Sequence, residues 1–247
     1  MPTLNRKQLR FLLVQIRDDE RVRSEEVQSF LHYGGLDAEQ LTVLNVFDRP
    51  QFERDVGRGF DAVLVGGASE ASVLERQRYP FVDSIIGLLR WCIEVHKPVF
   101  ASCFGFQAAG LGLGAEVTFQ DEGFEMGTLP MQLTEHAADD PLFCDAPEGF
   151  VAVTCHRESL LHAPQGCLAL AHSDRFCQAF RVVERPFWAF QFHPELDCAT
   201  FVSRLGIYRK QYTDTDDHYE STIASFRETP VSNQLLGKFI DRVVLPK

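Results

Sequence analysis

An almost unbroken apolar run, FLLVQI at residues 11–16, lies within a segment (9–16) that fits a strand covered on both faces in a parallel sheet. Beyond the charged stretch 17–23, Val27, Phe30 and Leu31 recur at helical spacing, and Gly34-Gly35 supply a stop. The alternation then repeats through LTVLNVF at 41–47, DAVLV at 61–65, a helix predicted over 81–96, and PVFAS at 98–102. Strands alternating with helices predict an α/β fold with a doubly wound, mostly parallel sheet flanked by helices.

After Gly114 the apolar segments shorten. Residues 149–155, 167–171, 178–183 and 188–192, separated by Gly, Pro and Asp, predict further strands, some antiparallel, that extend the sheet. Near the end, LLGKFIDRVV at 235–244 is amphipathic and predicts helix. The expected organisation is one domain over residues 1–197, with 198–247 as a helical C-terminal extension packed on it.

Composition narrows the function classes. With 247 residues, 45% of them hydrophobic, the chain has material for one large core. Its formal charge of −11 would oppose any non-specific nucleic-acid or anionic-membrane surface, so neither partner is expected. The absence of a long apolar run and the polar character of residues 1–7 lead to an expectation of a soluble, cytoplasmic protein. Seven scattered cysteines without a CxxC pair argue against disulfides and structural zinc, so no metal site is expected.

One cysteine stands apart. Cys103 follows the apolar run 98–102 and precedes FGFQAA, which has helix-forming composition, so it sits where a strand turns into a helix. Such a corner needs small neighbours two positions away on each side, here Ala101 and Gly105. The helix N-terminus beyond it favours a thiolate. A base with its own orienting group is available in Gln191-Phe192-His193-Pro194-Glu195. If this segment continues the strand, His193 and Glu195 share a face, and Pro194 stiffens the approach. A Cys/His pair needs a base that takes the thiol proton and a carboxylate that fixes the tautomer, so Cys103, His193 and Glu195 form a candidate catalytic set. Gly66-Gly67, at the end of DAVLV, would alone read as a strand-to-loop turn needing positive φ.

Together, Ala101-Ser102-Cys103-Phe104-Gly105-Phe106-Gln107 and Gln191-Phe192-His193-Pro194-Glu195 resemble the elbow and base segments of the class I, triad-type glutamine amidotransferases. Within that family the sequence is most similar to the amidotransferase domain of GMP synthases and their stand-alone relatives. The resemblance spans roughly residues 9–197 and implies a flavodoxin-like sheet. It also implies that the amides of Gly67 and Phe104 receive the oxyanion, and that Gly66 beside them helps to bind substrate. Gln107 would contact the carboxamide end of the substrate, and the segment His156-Arg157-Glu158 would help hold the amino-acid end. Ala101, Phe106 and Ala68 depart from the family's commoner residues, which bears on substrate identity more than on catalysis.

The implied reaction is hydrolysis of the glutamine side-chain amide through a cysteinyl thioester, with no cofactor. Its ammonia would pass to a separate ATP-dependent synthetase, since the chain carries no P-loop and no S-G-G-x-D-S motif. Two alternatives stand beside it: a γ-glutamyl hydrolase or peptidase using the same triad on another γ-glutamyl compound, and a non-catalytic amidotransferase-like binding protein. Residues 196–247 exceed the short tail usual after His-Pro-Glu, and three roles are open to them: capping the site, binding the missing partner, or forming a homodimer.

Overall fold

The computed structural model describes residues 5–120, 124–209 and 216–245. In chain order the strands and helices are β1 (Phe11–Gln15), α1 (Glu20–Gly34), β2 (Leu41–Asn45), β3 (Ala62–Val65), α2 (Phe81–Glu94), β4 (Val99–Ser102) and α3 (Phe104–Gly112). Then come β5 (Thr118–Phe119), β6 (Glu125–Pro130), β7 (Gln132–Leu133), β8 (Val151–His156), β9 (Glu158–Ser159), β10 (Cys167–His172), β11 (Cys177–Val182) and β12 (Phe187–Phe190). The C-terminal part holds α4 (Cys198–Ile207), α5 (Asp216–Ser225), α6 (Pro230–Asn233) and α7 (Leu235–Phe239), the last running into a π-helical turn, Ile240–Val244. Residues 210–215, 246 and 247 of the expected extension lie outside the described residues.

The main sheet has eight strands in the order β2-β1-β3-β4-β12-β11-β10-β7. From β2 to β12 every pairing is parallel, and from β12 to β7 every pairing is antiparallel. The fold is thus the flavodoxin-like α/β arrangement expected, with an antiparallel wing. Alternate residues of each central strand feed opposite faces. Leu12, Val14, Val63 and Val65 meet α2 and α3 through Ile85, Leu88 and Phe104. Phe11, Leu13 and Leu64 meet Phe30 of α1 and Leu235, Leu236 and Phe239 of α7 on the other face. Both faces being covered explains why β1, β3 and β4 appear in the sequence as continuous apolar runs.

Two expectations need correction. Residues 149–155 do not extend the main sheet: β8 pairs with β6 in a separate two-stranded sheet, and β5 with β9 in another. β8 is apolar because its Val153 and Cys155 pack under Leu196 and Phe201 of the C-terminal segment, which supplies the cover a neighbouring strand would otherwise give. The first helix also begins earlier than Val27, inside the charged stretch. There Asp19 caps it by accepting from the Arg21 N–H, while Gly35 ends it in the left-handed region, as the glycine pair predicted.

Candidate active site

Cys103 stands between β4 and α3 with φ 49° and ψ −97°. A non-glycine residue at positive φ costs on the order of 1–3 kcal/mol, so surrounding bonds must impose it. Its N–H donates to Phe190 O of β12 (2.7 Å), and its carbonyl accepts from Gln107 N (3.0 Å). The corner is crowded as the sequence pattern required: a Cβ on Gly105 would lie 2.9 Å from Val65 Cβ and 3.0 Å from Ala101 Cβ. The sulfur faces a cavity of about 340 Å³ whose wall includes Phe104, Gln107, His156, Arg157 and Glu158.

His193 and Glu195 lie beyond the end of β12, so strand parity does not bring them together. A turn does: Leu196 N donates to His193 O (3.2 Å), placing Pro194 and Glu195 at its two central positions. The His193 N–H is tied to Val153 O of β8 (2.8 Å). Within the turn His193 Nδ1 lies 2.7 Å from Glu195 Oε1, and Glu195 is fully buried. The imidazole lies beside Cys103: a Cβ on Gly67 would stand 2.6 Å from His193 Cε1 and 3.3 Å from Cys103 Cβ. Cys103 therefore opens onto the cavity while His193 sits behind it, separated from Arg17, Phe201 and Arg204 by a void of only about 10 Å³.

Burial opposes charge on the ring. The Glu195 carboxylate, hydrogen-bonded to the ring, and the nearby Cys103 sulfur overcome it and raise the His193 pKa to about 9. Burial likewise opposes charge on Glu195, but the imidazolium, a backbone N–H and the charge of Arg204 hold its pKa below the usual carboxylate value.

The glycine pair is needed for space rather than for φ, since the described glycines at positive φ are Gly35, Gly114, Gly127, Gly149 and Gly166. A Cβ on Gly67 would stand 2.6 Å from His193 Cε1 and 3.3 Å from Cys103 Cβ; one on Gly66 would stand 2.8 Å from Glu26 Oε1. Gly67 thus abuts both Cys103 and His193, and Phe104 opens α3, where first-turn amides lack helical partners.

The remaining candidates line the cavity with their polar groups engaged. Gln107 Nε2 donates to Glu158 O (2.6 Å). His156 is buried with Nε2 3.0 Å from Glu125 Oε2, and burial outweighs that carboxylate and lowers its pKa. The Glu158 carboxylate accepts from Ser72 Oγ and from Val73 N (3.1 Å), and burial raises its pKa. Arg157 stacks 4.0 Å above the Phe124 ring.

Four further residues touch this machinery without a local sequence signal. Asn233 of α6 donates from Nδ2 to Pro194 O (2.9 Å) and Leu196 O (2.7 Å), bracing the His-Pro-Glu turn. Arg204 of α4 pairs with Glu25 of α1 at 2.7 Å. Arg17 and Tyr208 grip the loop that follows Gly67. Among the described residues, no group of three His, Cys, Asp or Glu side chains could hold a metal ion. No helix among them is long and apolar enough to cross a membrane.

The model of the glutamine amidotransferase class-I family matches residues 40–205, and the chain belongs to that family. Among curated relatives, a subunit of the glutamine-hydrolysing GMP synthase of Methanocaldococcus jannaschii is 32% identical over 119 residues, covering 47% of this chain and 61% of that protein. The GMP synthase of Thermotoga petrophila is 30% identical over 156 residues, covering 63% of this chain but 28% of that protein. The chain therefore matches only about a quarter of the length of such GMP synthases, 26% for one from a Thermotoga strain. Among solved structures, a glutamine amidotransferase of Thermotoga maritima superposes with a TM-score of 0.74 at 19% identity, covering 96% of this chain and 99% of that one. One from Methylobacillus flagellatus gives 0.71 at 16% identity, covering 98% and 96%.

Proposed function

We propose that the chain hydrolyses the side-chain amide of glutamine to glutamate and ammonia through a thioester on Cys103, and that a separate ATP-dependent synthetase consumes the ammonia. The observation that carries this reading is the strained cysteine at the mouth of a cavity, beside an imidazole whose Nδ1 is held by a buried carboxylate.

In this mechanism the proton of Cys103 resides on His193, and the sulfur attacks the amide carbon. The C=O electron pair moves onto oxygen, where the amides of Gly67 and Phe104 receive it. His193 gives its proton to the nitrogen, the C–N bond breaks and ammonia leaves. Neutral His193 then takes a proton from water as the hydroxyl adds to the thioester. Collapse of the second tetrahedral intermediate expels the sulfur and leaves glutamate, while Glu195 keeps the ring oriented through both steps. The C-terminal helices belong to the same catalytic unit in this reading, since α4 and α6 contact the base and its turn.

A separate acceptor is favoured by the relatives that are named as one subunit of GMP synthase. A second reading, hydrolysis of a larger γ-glutamyl compound, is favoured by one observation. The cavity extends past Gln107 to Glu75, Arg78 and Phe119, beyond what a primary amide requires.

Ammonia release from glutamine, with covalent labelling of Cys103 by a glutamine-like diazo-ketone, tests the first reading. We expect Cys103→Ser to abolish both while the fold survives, because the hydroxyl is a far weaker nucleophile. Turnover of γ-glutamyl peptides without glutamine turnover would select the second reading. Absence of labelling together with absence of any turnover would leave only a binding role.

A further inference from the structure

Arg17 follows β1 and is 1% exposed. Its Nε pairs with Glu26 Oε1 of α1 at 2.9 Å, and Glu26 is itself completely buried. The Arg17 carbonyl accepts from Arg23 Nε (2.9 Å) and Asn45 Nδ2 (2.8 Å), so the root of the side chain is fixed. Burial opposes the charge, yet the carboxylates of Glu26 and Glu70 more than restore it, and Arg17 stays cationic.

A buried guanidinium costs several kcal/mol in desolvation, and a single ion pair seldom recovers that cost. The other end of this group lies at the candidate site. Nη1 donates to Ser69 Oγ (3.0 Å). Nη2 has no hydrogen-bond partner among the described residues and lies 3.2 Å from where a Cβ on Gly67 would stand, the same point that crowds His193 and Cys103. The next residue along, Glu70, is gripped from other elements. Tyr208, at the end of α4, donates its hydroxyl to the Glu70 carboxylate, and Tyr79 donates to the Glu70 carbonyl.

The geometry points to Arg17 as a positioning residue for catalysis: by holding Ser69 and abutting Gly67 it keeps the Gly67 amide aimed at the oxyanion, while α4 steadies the same loop through Tyr208. The inference rests on the glutaminase reading and adds to it a group that never touches substrate. Oxyanion contacts strengthen in the transition state, whereas the far wall of the cavity binds the ground state equally before and after attack. Loosening the loop therefore lowers kcat and leaves KM nearly unchanged.

The test uses Ser69→Ala, Arg17→Lys and Arg17→Met in the full chain, with ammonia release from glutamine as the rate. A second readout is affinity for glutamate γ-semialdehyde, whose carbonyl adds the Cys103 thiol to give a tetrahedral hemithioacetal that uses the same amides. We expect kcat to fall ~100-fold for Arg17→Met and ~10-fold for Ser69→Ala, of the order seen when an oxyanion donor is lost or displaced. KM should stay within about twofold, aldehyde affinity should fall in parallel with kcat, and Arg17→Lys should recover part of the rate. If Arg17→Met does not fold because Glu26 is left unpaired, Ser69→Ala and Arg17→Lys decide the matter, since both keep the buried carboxylate neutralised. Wild-type kcat and aldehyde affinity in folded Ser69→Ala, or a rise in KM at constant kcat, would overturn the role of Arg17. No ammonia release by the wild-type protein would overturn the glutaminase reading and this inference with it.

Discussion

At the scale of single residues, space around the sulfur is the controlling quantity. Gly67 can only be glycine, because a methyl group there would stand 2.6 Å from a His193 ring already held by Glu195 and by Val153 O. Neither the ring nor the Cys103 corner has room to retreat, so Gly67→Ala should cost ~1–3 kcal/mol in overpacking. It should also swing the imidazole off the sulfur, and a displacement of that size lowers rates ~100-fold. Thermal unfolding and ammonia-release kinetics would measure the two effects, and an unchanged kcat would remove Gly67 from the site. The sequence points to this glycine through the resemblance, but its bare residues suggest positive φ. A close approach by side chains 36 and 126 positions away leaves no mark on its neighbours in the chain. Cys103 differs: its environment is made by β4 and α3, which flank it directly, so the small residues at 101 and 105 carry the signal locally.

Elements are legible in the sequence when their cover is symmetrical. β1, β3 and β4 are buried along their full lengths and show as apolar runs, whereas β6, half-exposed over EMGTLP, shows no run and gives no strand signal. β8 reads as a strand but in the wrong sheet, because the sequence records that Val153 is covered and not what covers it. The base segment teaches the same lesson: His193 and Glu195 do meet, though through a proline turn and not through a strand face. That turn owes its shape to a distant element, since Asn233 of α6 satisfies the carbonyls of both Pro194 and Leu196. Replacing Asn233 with Leu would leave two buried carbonyls unpaired, at roughly 1–3 kcal/mol each. We expect urea unfolding to register a loss of that order and kcat to drop as the turn loosens. Wild-type activity in Asn233→Leu would show that α6 is dispensable to the base.

For the whole molecule the informative variable is pH, because one buried pair links the proposed catalytic base to global stability. The His193 pKa is about 9 in the folded protein against the ordinary 6.5 in the unfolded chain. Its contribution is therefore complete below pH ~6.5 and lost as pH rises through ~9; at 1.36 kcal/mol per pH unit, the difference amounts to roughly 3 kcal/mol. Glu195 is shifted the opposite way, so its share of the same pair is present above the normal carboxylate pKa and disappears as pH falls through the lowered one. The melting temperature should accordingly be highest from about pH 5 to 6.5 and decline toward pH 9. A net charge of −11 that grows more negative with pH adds a general repulsion on the alkaline side, but salt screens that repulsion and leaves a fully buried pair largely untouched. Repeating the titration in high salt therefore isolates the pair. Glu195→Gln should be less stable near neutrality, because His193 loses its buried carboxylate, and its alkaline limb should be shallower, because Glu195 is the larger of the two groups that hold the ring's proton. An alkaline limb of the same steepness in Glu195→Gln would mean that the proton lost near pH 9 belongs to another group, and that His193 is not the charged base on which ammonia release depends.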